Sequence, residues 1–414
     1  MDKVFYLSGT TRGGTLEGLG RAFAPALRQL DIELVEISLL NFEHLLRTLQ
    51  TCDLAKIRFV LSGVGMGLDI ALNQNGQALN VWQELGLPVI TMHGDSPAYF
   101  FERHMVKSNN FISLYGFAEH CELRRRFPGV KGPIGTMPSV VVDEIPREQL
   151  DVRAKRDGTL LFLKNGKDPA KIRGTWKAHV EPRILRSLCE LADELESQLD
   201  APASNQIDDL VLRYFEENGF DVEGMFKLRM FFIAQLDDYL RAVKCTRMAH
   251  WLMEFPVQIR GNEWGHVDFA GRRATYIDDC NYVDSIGLIR GSLGLIDMSP
   301  NTASGPHDRV MRAYGSRTLC LTNAGQRFMA GLPFEEESTF QFTKESVQER
   351  VADLLANKCA AIDMGVATAE AFRARHPPEQ AFETMLEWAS LARLDQRKTR
   401  PEMQDFFLWP PAGI

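Results

Sequence analysis

The stretch LGLIDMSPNTASGPHDRVMRAYGSRTLCLT, residues 293–322, reads as a strand (Leu293–Met298), a loop (Ser299–Gly305), a helix (Pro306–Tyr314) and a second strand (Thr318–Thr322). Ser304 or Gly305 is placed to cap that helix, Pro306 suits its first position, and Gly315 suits a left-handed stop. His307 and Arg309 fall in its first turn, which sets cationic groups at the positive end of the helix dipole. Alone that arrangement is unfavourable. It becomes favourable when an anion docks, because free N–H groups, an imidazole and a guanidinium then converge on one negative group. A phosphate is the obvious ligand. The competing reading pairs Arg309 with a carboxylate on a neighbouring element and leaves His307 as a solvated loop residue.

Strands and helices alternate before this stretch. Lys3–Ser8 reads as a buried strand, followed by Gly13 and Gly14 and a helix whose Leu16, Leu19, Phe23, Leu27 and Leu30 keep helical spacing. Strand Glu33–Ser38, helix Phe42–Leu49, strand Arg58–Gly63, a helix near Gln77–Leu85 and strand Val89–His93 continue the pattern. Asn110–Tyr115 and Ser139–Val142 complete the set. Such alternation implies an α/β fold with a parallel, doubly wound sheet, whose ligands bind at the carboxyl ends of the strands. Three of those ends are rich in small or polar residues: Thr10 to Gly14, Gly63 to Gly67, and His93 to Ser96. They are expected to floor one cleft; the plainer alternative is that they are only tight turns.

Residues 143–157, DEIPREQLDVRAKRD, read as a polar connection to a second domain. Strand Thr159–Lys164 then ends in Asn165, Gly166 and Lys167. Helical segments near Lys177–Leu199, Ile207–Asn218 and Lys227–Leu252 form a helical section, after which strands Val257–Arg260 and Arg273–Tyr276 and helix Tyr282–Arg290 lead to the opening stretch. Helices Lys344–Ala356 and Gln380–Leu394 follow. The apolar ending FFLWPPAGI is expected to pack on a domain, back across the first one. The division is thus 1–150, 151–375, and a helix and tail over 376–414.

Of 414 residues, 45% are hydrophobic and 25% charged, an ordinary globular composition. The net charge of −8 argues against a nucleic-acid partner. Arg124, Arg125 and Arg126 form the one compact basic run, expected to be a solvated helix face. Seven scattered cysteines with no CxxC pair imply reduced thiols and neither a zinc site nor a disulfide framework. The N-terminus begins with a strand where a secretory signal needs a longer apolar run, and nothing reaches a membrane span of about 20 apolar residues. A cytoplasmic location is expected.

The segment VDSIGLIRGSLGLIDMSPNTASGPHDRVMRAYGSRTLCLTN, residues 283–323, resembles the donor-domain signature of GT-B glycosyltransferases, particularly the CgeB-like group. LLFLKNGK, VQIRGNEW and HGDSP fall in matching order. The resemblance implies two facing Rossmann-like domains, the second holding a nucleotide-sugar donor and the first an acceptor, which is a protein, a glycan or a small molecule. It further implies that Ser304, Gly305, His307 and Arg309 contact the donor, together with the Pro-Asn loop at Asn301, while Lys164, Asn165 and Lys167 offer further diphosphate contacts. Gly13, Gly14 and Gly65 would line the acceptor side. Two departures stand out. Many members carry a glutamate for the nucleotide ribose where this chain has Arg312, which cannot accept hydroxyl protons. The usual glycine after the helix is Arg317.

Glycosyl transfer needs a neutralised leaving diphosphate, a positioned anomeric carbon and a base for the acceptor proton. Asp95 is the first candidate base and His93 the second, both at a strand's carboxyl end; Asp95 is otherwise the cap of a helix Ser96–His104. No Asp-x-Asp motif points to a metal, so the reaction is expected to be metal-independent and without a cofactor. Two other readings keep the same residues: a sugar-nucleotide 2-epimerase, or a non-catalytic cytosolic ligand-binding or sensor protein. An NAD oxidoreductase is disfavoured, because Gly9 to Gly14 lacks the GxGxxG spacing.

Overall fold

The computed structural model describes residues 1–9, 14–74, 77–105, 110–129, 132–141, 143–199, 206–299 and 301–396. It divides into two compact units, Met1–Val142 with His376–Ile414, and Asp143–Arg375.

The first unit carries strands β1 (Asp2–Ser8), β2 (Ile32–Ser38), β3 (Ile57–Gly63), β4 (Ala71–Gln74), β5 (Gln77–Asn80), β6 (Val89–His93), β7 (Phe111–Tyr115) and β8 (Ile134–Thr136). Its helices are α1 (Thr15–Gln29), α2 (Phe42–Thr51), α3 (Val81–Glu84), α4 (Phe101–His104) and α5 (Ala118–Arg125). The main sheet runs β2-β1-β3-β6-β7-β8, parallel throughout, while β4 and β5 form a separate antiparallel hairpin. Successive strand residues point to opposite faces, so Val4, Tyr6, Phe59 and Leu61 line one core with Phe23 and Leu27 of α1. Phe5, Leu7 and Val60 line the other, with Leu45 and Leu49 of α2 and Trp82 of α3. Burial on both faces is what near-continuous apolar strands require.

The second unit begins with α6 (Val152–Asp157) and β9 (Leu160–Leu163), then the helical section α7 (Pro169–His179), α8 (Pro182–Ser197), α9 (Gln206–Glu217) and α10 (Phe226–Leu252). Strands β10 (Val257–Arg260) and β11 (Thr275–Ile277), α11 (Tyr282–Arg290), β12 (Gly294–Ile296), α12 (Asp308–Gly315), β13 (Leu319–Asn323) and β14 (Thr339–Phe340) follow. The unit closes with α13 (Lys344–Ala356) and α14 (Lys358–Arg375). Its parallel sheet runs β11-β10-β9-β12-β13-β14, the doubly wound order that reverses between its first and fourth strands, here β9 and β12. The last helix, α15 (Pro378–Gln396), belongs to the first unit, where Phe382, Met385 and Ala389 join the core of α1.

The α/β class and the helical section are as expected; several local expectations are not. Residues 77–85 give a strand of the hairpin and one helical turn, because the Asn80 side chain accepts from Trp82 N and Gln83 N and so starts the helix late. The last strand of the first sheet is Ile134–Thr136, with residues 139–141 irregular. The polar run 143–157 is no free connection: it starts the second unit and contains α6, whose Lys155 is 1% exposed. Arg124 is likewise buried at 3% exposure, not solvated. Helix α14 was not anticipated. The ending FFLWPPAGI lies outside the described residues.

Candidate functional site

Strand β9 hands over to Lys164, and the neighbouring strand β12 hands over to Asp297; the two are paired in register, Ile296 opposite Phe162. Both residues therefore emerge at the reversal of strand order, where the crossovers diverge and leave room for a ligand. The loop after β9 is pinned: Trp264 Nε1 donates to the Lys164 carbonyl at 2.8 Å, and Asn262 N donates to Asn165 Oδ1 at 2.9 Å. Gly166 is required there, since a Cβ would come within 2.1 Å of the Trp264 ring.

Asp297 is 1% exposed and gathers the cations around it. Lys164 Nζ lies 3.5 Å from Oδ1, and Arg309 Nε donates to the same oxygen at 3.1 Å. Burial alone would raise the Asp297 pKa, but Lys164, Arg309 and His307 together hold it well below the usual carboxylate range. Burial brings Lys164 down to about 8, with Arg309 adding to the fall and Asp297 opposing it. His307 sits beside them with its Nε2 3.3 Å from Ser299 Oγ. Burial and the Lys164 charge push its pKa well below 6.5, so the imidazole is neutral and not the cation expected from the sequence.

The helix start differs too. Helix α12 begins at Asp308, with His307 as N-cap making no side-chain capping bond; Ser304, Gly305 and Pro306 lie before it in the loop. Its first carboxylate, Asp308, accepts from Arg312 Nη2 at 2.7 Å and lies 3.6 Å from Arg309 Nη1. Arg312 is buried over the Tyr282 ring at 4.7 Å and donates to Ser285 Oγ. The innermost charges are thus Lys164, Arg309 and Arg312 against Asp297 and Asp308, a surplus of one positive charge.

Two more sequence candidates are tied to the helical section. Asn301 Nδ2 donates to the Asp237 carbonyl at 3.0 Å, and Lys167 Nζ to Asp238 Oδ1 at 2.7 Å. Adjacent Asp237 and Asp238 on α10 therefore hold separate partners.

In the first unit the carboxyl ends of β1, β3 and β6 are neighbours. Gly13 lies outside the described residues; Gly14, at φ 69°, is the N-cap of α1. Gly65, at φ +71°, takes a left-handed turn that leaves 3.4 Å between a Cβ and His93 Cε1, so the β3 and β6 loops meet. His93 is buried and bonded to Thr91 Oγ1 at 2.9 Å. Burial, and next the Arg124 charge, lower its pKa to about 3. Asp95 is exposed in the following turn. It caps no helix: Ser96 Oγ accepts the local N–H, from Ala98, and α4 spans only Phe101–His104.

Asp297 and Trp264 were missed from the sequence. A charged residue closing the apolar run LGLI was the available signal for Asp297; nothing marked Trp264. Among the described residues no group of three or more His, Cys, Asp or Glu is placed to hold a metal, and no helix is long and apolar enough to cross a membrane. The seven cysteines are free.

No family model matches the chain, and no curated protein matches it in sequence. Solved structures do match in fold. The β-glucosyltransferase of phage T4, solved with its UDP-glucose substrate, superposes with TM-score 0.51 at 8% identity, over 94% of this chain and all of that one. An α-glucosyltransferase solved with UDP and a 13-mer DNA superposes with TM-score 0.51 at 9% identity, over 94% of this chain and 99% of the other. The fold is GT-B. The chain's two parallel six-stranded sheets agree with that architecture. The T4 enzyme has also been solved with UDP and Mn2+, with TM-score 0.50 at 9% identity.

Proposed function

We propose that this GT-B protein transfers a sugar from a nucleotide-sugar donor, and that the Lys164–Asp297–Arg309–His307 cluster receives the donor diphosphate. The observation that carries the reading is the meeting of these four side chains at the strand-order reversal of the second sheet, beside the start of α12. Lys164 and Arg309 supply positive charge, and Asp297 fixes where the guanidinium points. His307 is a neutral hydrogen-bonding group beside the leaving oxygens. Uncapped N–H groups at the helix start complete an anion site.

Lys167, Asn165 and Asn301 belong to this reading as residues that hold the surrounding loops, and Ser304 and Gly305 as the loop over the donor. Residues 284–323 support placing the chain in the CgeB-like group. Since the cluster carries its own neutralising charge, we read transfer as metal-independent.

Asp95 is assigned as the base, with Gly14 and Gly65 on the acceptor side. It is exposed at a strand's carboxyl end, whereas His93 is buried and committed to Thr91. The DNA of the α-glucosyltransferase complex does not carry over as an acceptor: a chain of net charge −8 lacks the phosphate-neutralising surplus that DNA binding needs. Unpaired thiols fit a cytoplasmic protein.

The test is release of nucleoside diphosphate from a panel of sugar nucleotides. One donor should turn over, unaffected by EDTA. Asp95→Asn should lower that rate about 100-fold or more while donor affinity stays within a factor of two or so. Failure of every donor with the unmodified chain would reject the transferase reading; normal turnover by Asp95→Asn would remove only the base.

A further inference from the structure

Arg124, in the last turn of α5, is 3% exposed. Its Nη2 donates to the His104 carbonyl and its guanidinium lies 5.1 Å from the Phe127 ring centre. Its Nε and Nη1 are buried with no hydrogen-bond partner. Burial lowers the Arg124 pKa, and among the described residues the group opposing that fall is the Tyr115 hydroxyl, not a carboxylate. A buried guanidinium without a counter-charge is costly to hold and calls for an anion.

Among the described residues, the groups that bear on Arg124 and on the His93 and His104 rings are Tyr115, Arg103, His120 and one another, and none of them is a carboxylate. The His93 and His104 rings lie 4.4 Å apart, and His93 stacks on Tyr115 at 5.0 Å. Tyr115 OH and His104 Nδ1 are 2.7 Å apart. Burial depresses both imidazoles, with Arg124 and Arg103 contributing, so they are neutral hydrogen-bonding groups. The cluster sits at the carboxyl ends of β6 and β7. Gly94 there faces open space, and Gly116 N donates to the His93 carbonyl at 2.9 Å. Small residues at these strand ends leave backbone room for a ligand beside the rings.

We propose that this cluster binds the phosphoryl group of a small phosphorylated acceptor, with Arg124 as the counter-charge and the His93 and His104 rings beside it. A phosphoryl group brings three acceptor oxygens and up to two charges, where a carboxylate brings two oxygens and one charge. The anion site stands on its own geometry; only the word acceptor rests on the transferase reading. Asp95 lies two residues beyond His93, so a phosphoryl group anchored here would hold the acceptor next to the assigned base.

The test is thermal stabilisation of the full chain by inorganic phosphate and by glycerol phosphate, at ionic strength fixed with sodium chloride. It is run on the unmodified chain, Arg124→Met and Arg309→Ala. A saturable rise is expected with both ligands, half-saturation at equal or lower concentration for the ester, at least tenfold weaker in Arg124→Met and unchanged in Arg309→Ala. No saturable rise, or the same rise in Arg124→Met, overturns the site. Loss in Arg309→Ala instead overturns it by placing phosphate at the donor cluster, leaving the transferase reading intact. A response to inorganic phosphate alone overturns the acceptor assignment. Should Arg124→Met fail to fold, the ring-proton resonances of His93 and His104 in the unmodified chain decide: they move with phosphate if the site is real and stay fixed if it is not.

Discussion

Asp297 shows how one buried carboxylate holds a set of repelling cations together. Without it Lys164 and Arg309 would repel each other in a buried setting; with it both are held and a single positive charge remains. Residues 293–322 offer two readings of Arg309, an anion site with His307 or a pair with a neighbouring carboxylate. The structure shows that pairing, with Nε bonded to Asp297 and Nη1 3.6 Å from Asp308. Buried charge is what the sequence hides most, since burial depends on contacts far along the chain. Lys155 is the clearest case. It falls in the run expected to be a polar connection, but its ammonium donates to Thr318 Oγ1, 163 residues away. Burial lowers its pKa to about 7 from 10.5. Between those values the unfolded chain binds the extra proton, so stability should rise with pH from 7 toward 10. Urea unfolding at pH 7 and pH 9 should show a gain of about 2 kcal/mol. In Lys155→Met that part of the rise should vanish and stability at pH 7 should increase. An equal pH-dependence in the variant would show that Lys155 is not the titrating group.

At the scale of elements, helix α12 owes its form to its two ends. It starts late because His307, not Ser304, is in the extended N-cap conformation. It stops through Arg317, whose φ of 49° is the left-handed position usually given to glycine. That conformation costs a non-glycine residue about 1 kcal/mol. The cost is offset by Arg317 Nε donating to the Ile145 carbonyl at 2.8 Å and Nη1 to Glu370 at 2.7 Å. Arg317→Gly should therefore destabilise the chain, by about 1–3 kcal/mol in urea unfolding, because the lost charged hydrogen bonds outweigh the relieved backbone. A variant as stable as the parent would mean that these bonds contribute nothing net. The sequence located the departure at Arg317 but not its compensation, which comes from residues before α6 and within α14. Strand and helix positions along β1, β3, β6 and α10 were legible from apolar periodicity. The hairpin β4–β5 was not, because its side-chain pattern is as compatible with one helical face as with two short strands.

For the whole molecule, the notable feature is that the last described helix belongs to the first unit. Helix α15 completes the first unit's core, with Phe382 fully buried and edge-on to Phe23 at 5.3 Å. Arg393 adds a bond to the Ile57 carbonyl. Phe382→Ala should cost about 3–5 kcal/mol, read as a lower first transition in calorimetry, with ligand binding by the second unit kept. An unchanged thermogram would show that α15 is dispensable to that core. In the other unit, the cluster around Asp297 is proposed to receive a nucleoside diphosphate. Isothermal titration of UDP, GDP and dTDP into the unmodified chain and Arg309→Ala tests it most directly. One diphosphate should bind saturably, and Arg309→Ala should weaken it by about 1.5–3 kcal/mol, roughly ten- to hundredfold. Equal affinity in the variant, or no binding of any diphosphate by the unmodified chain, would contradict it.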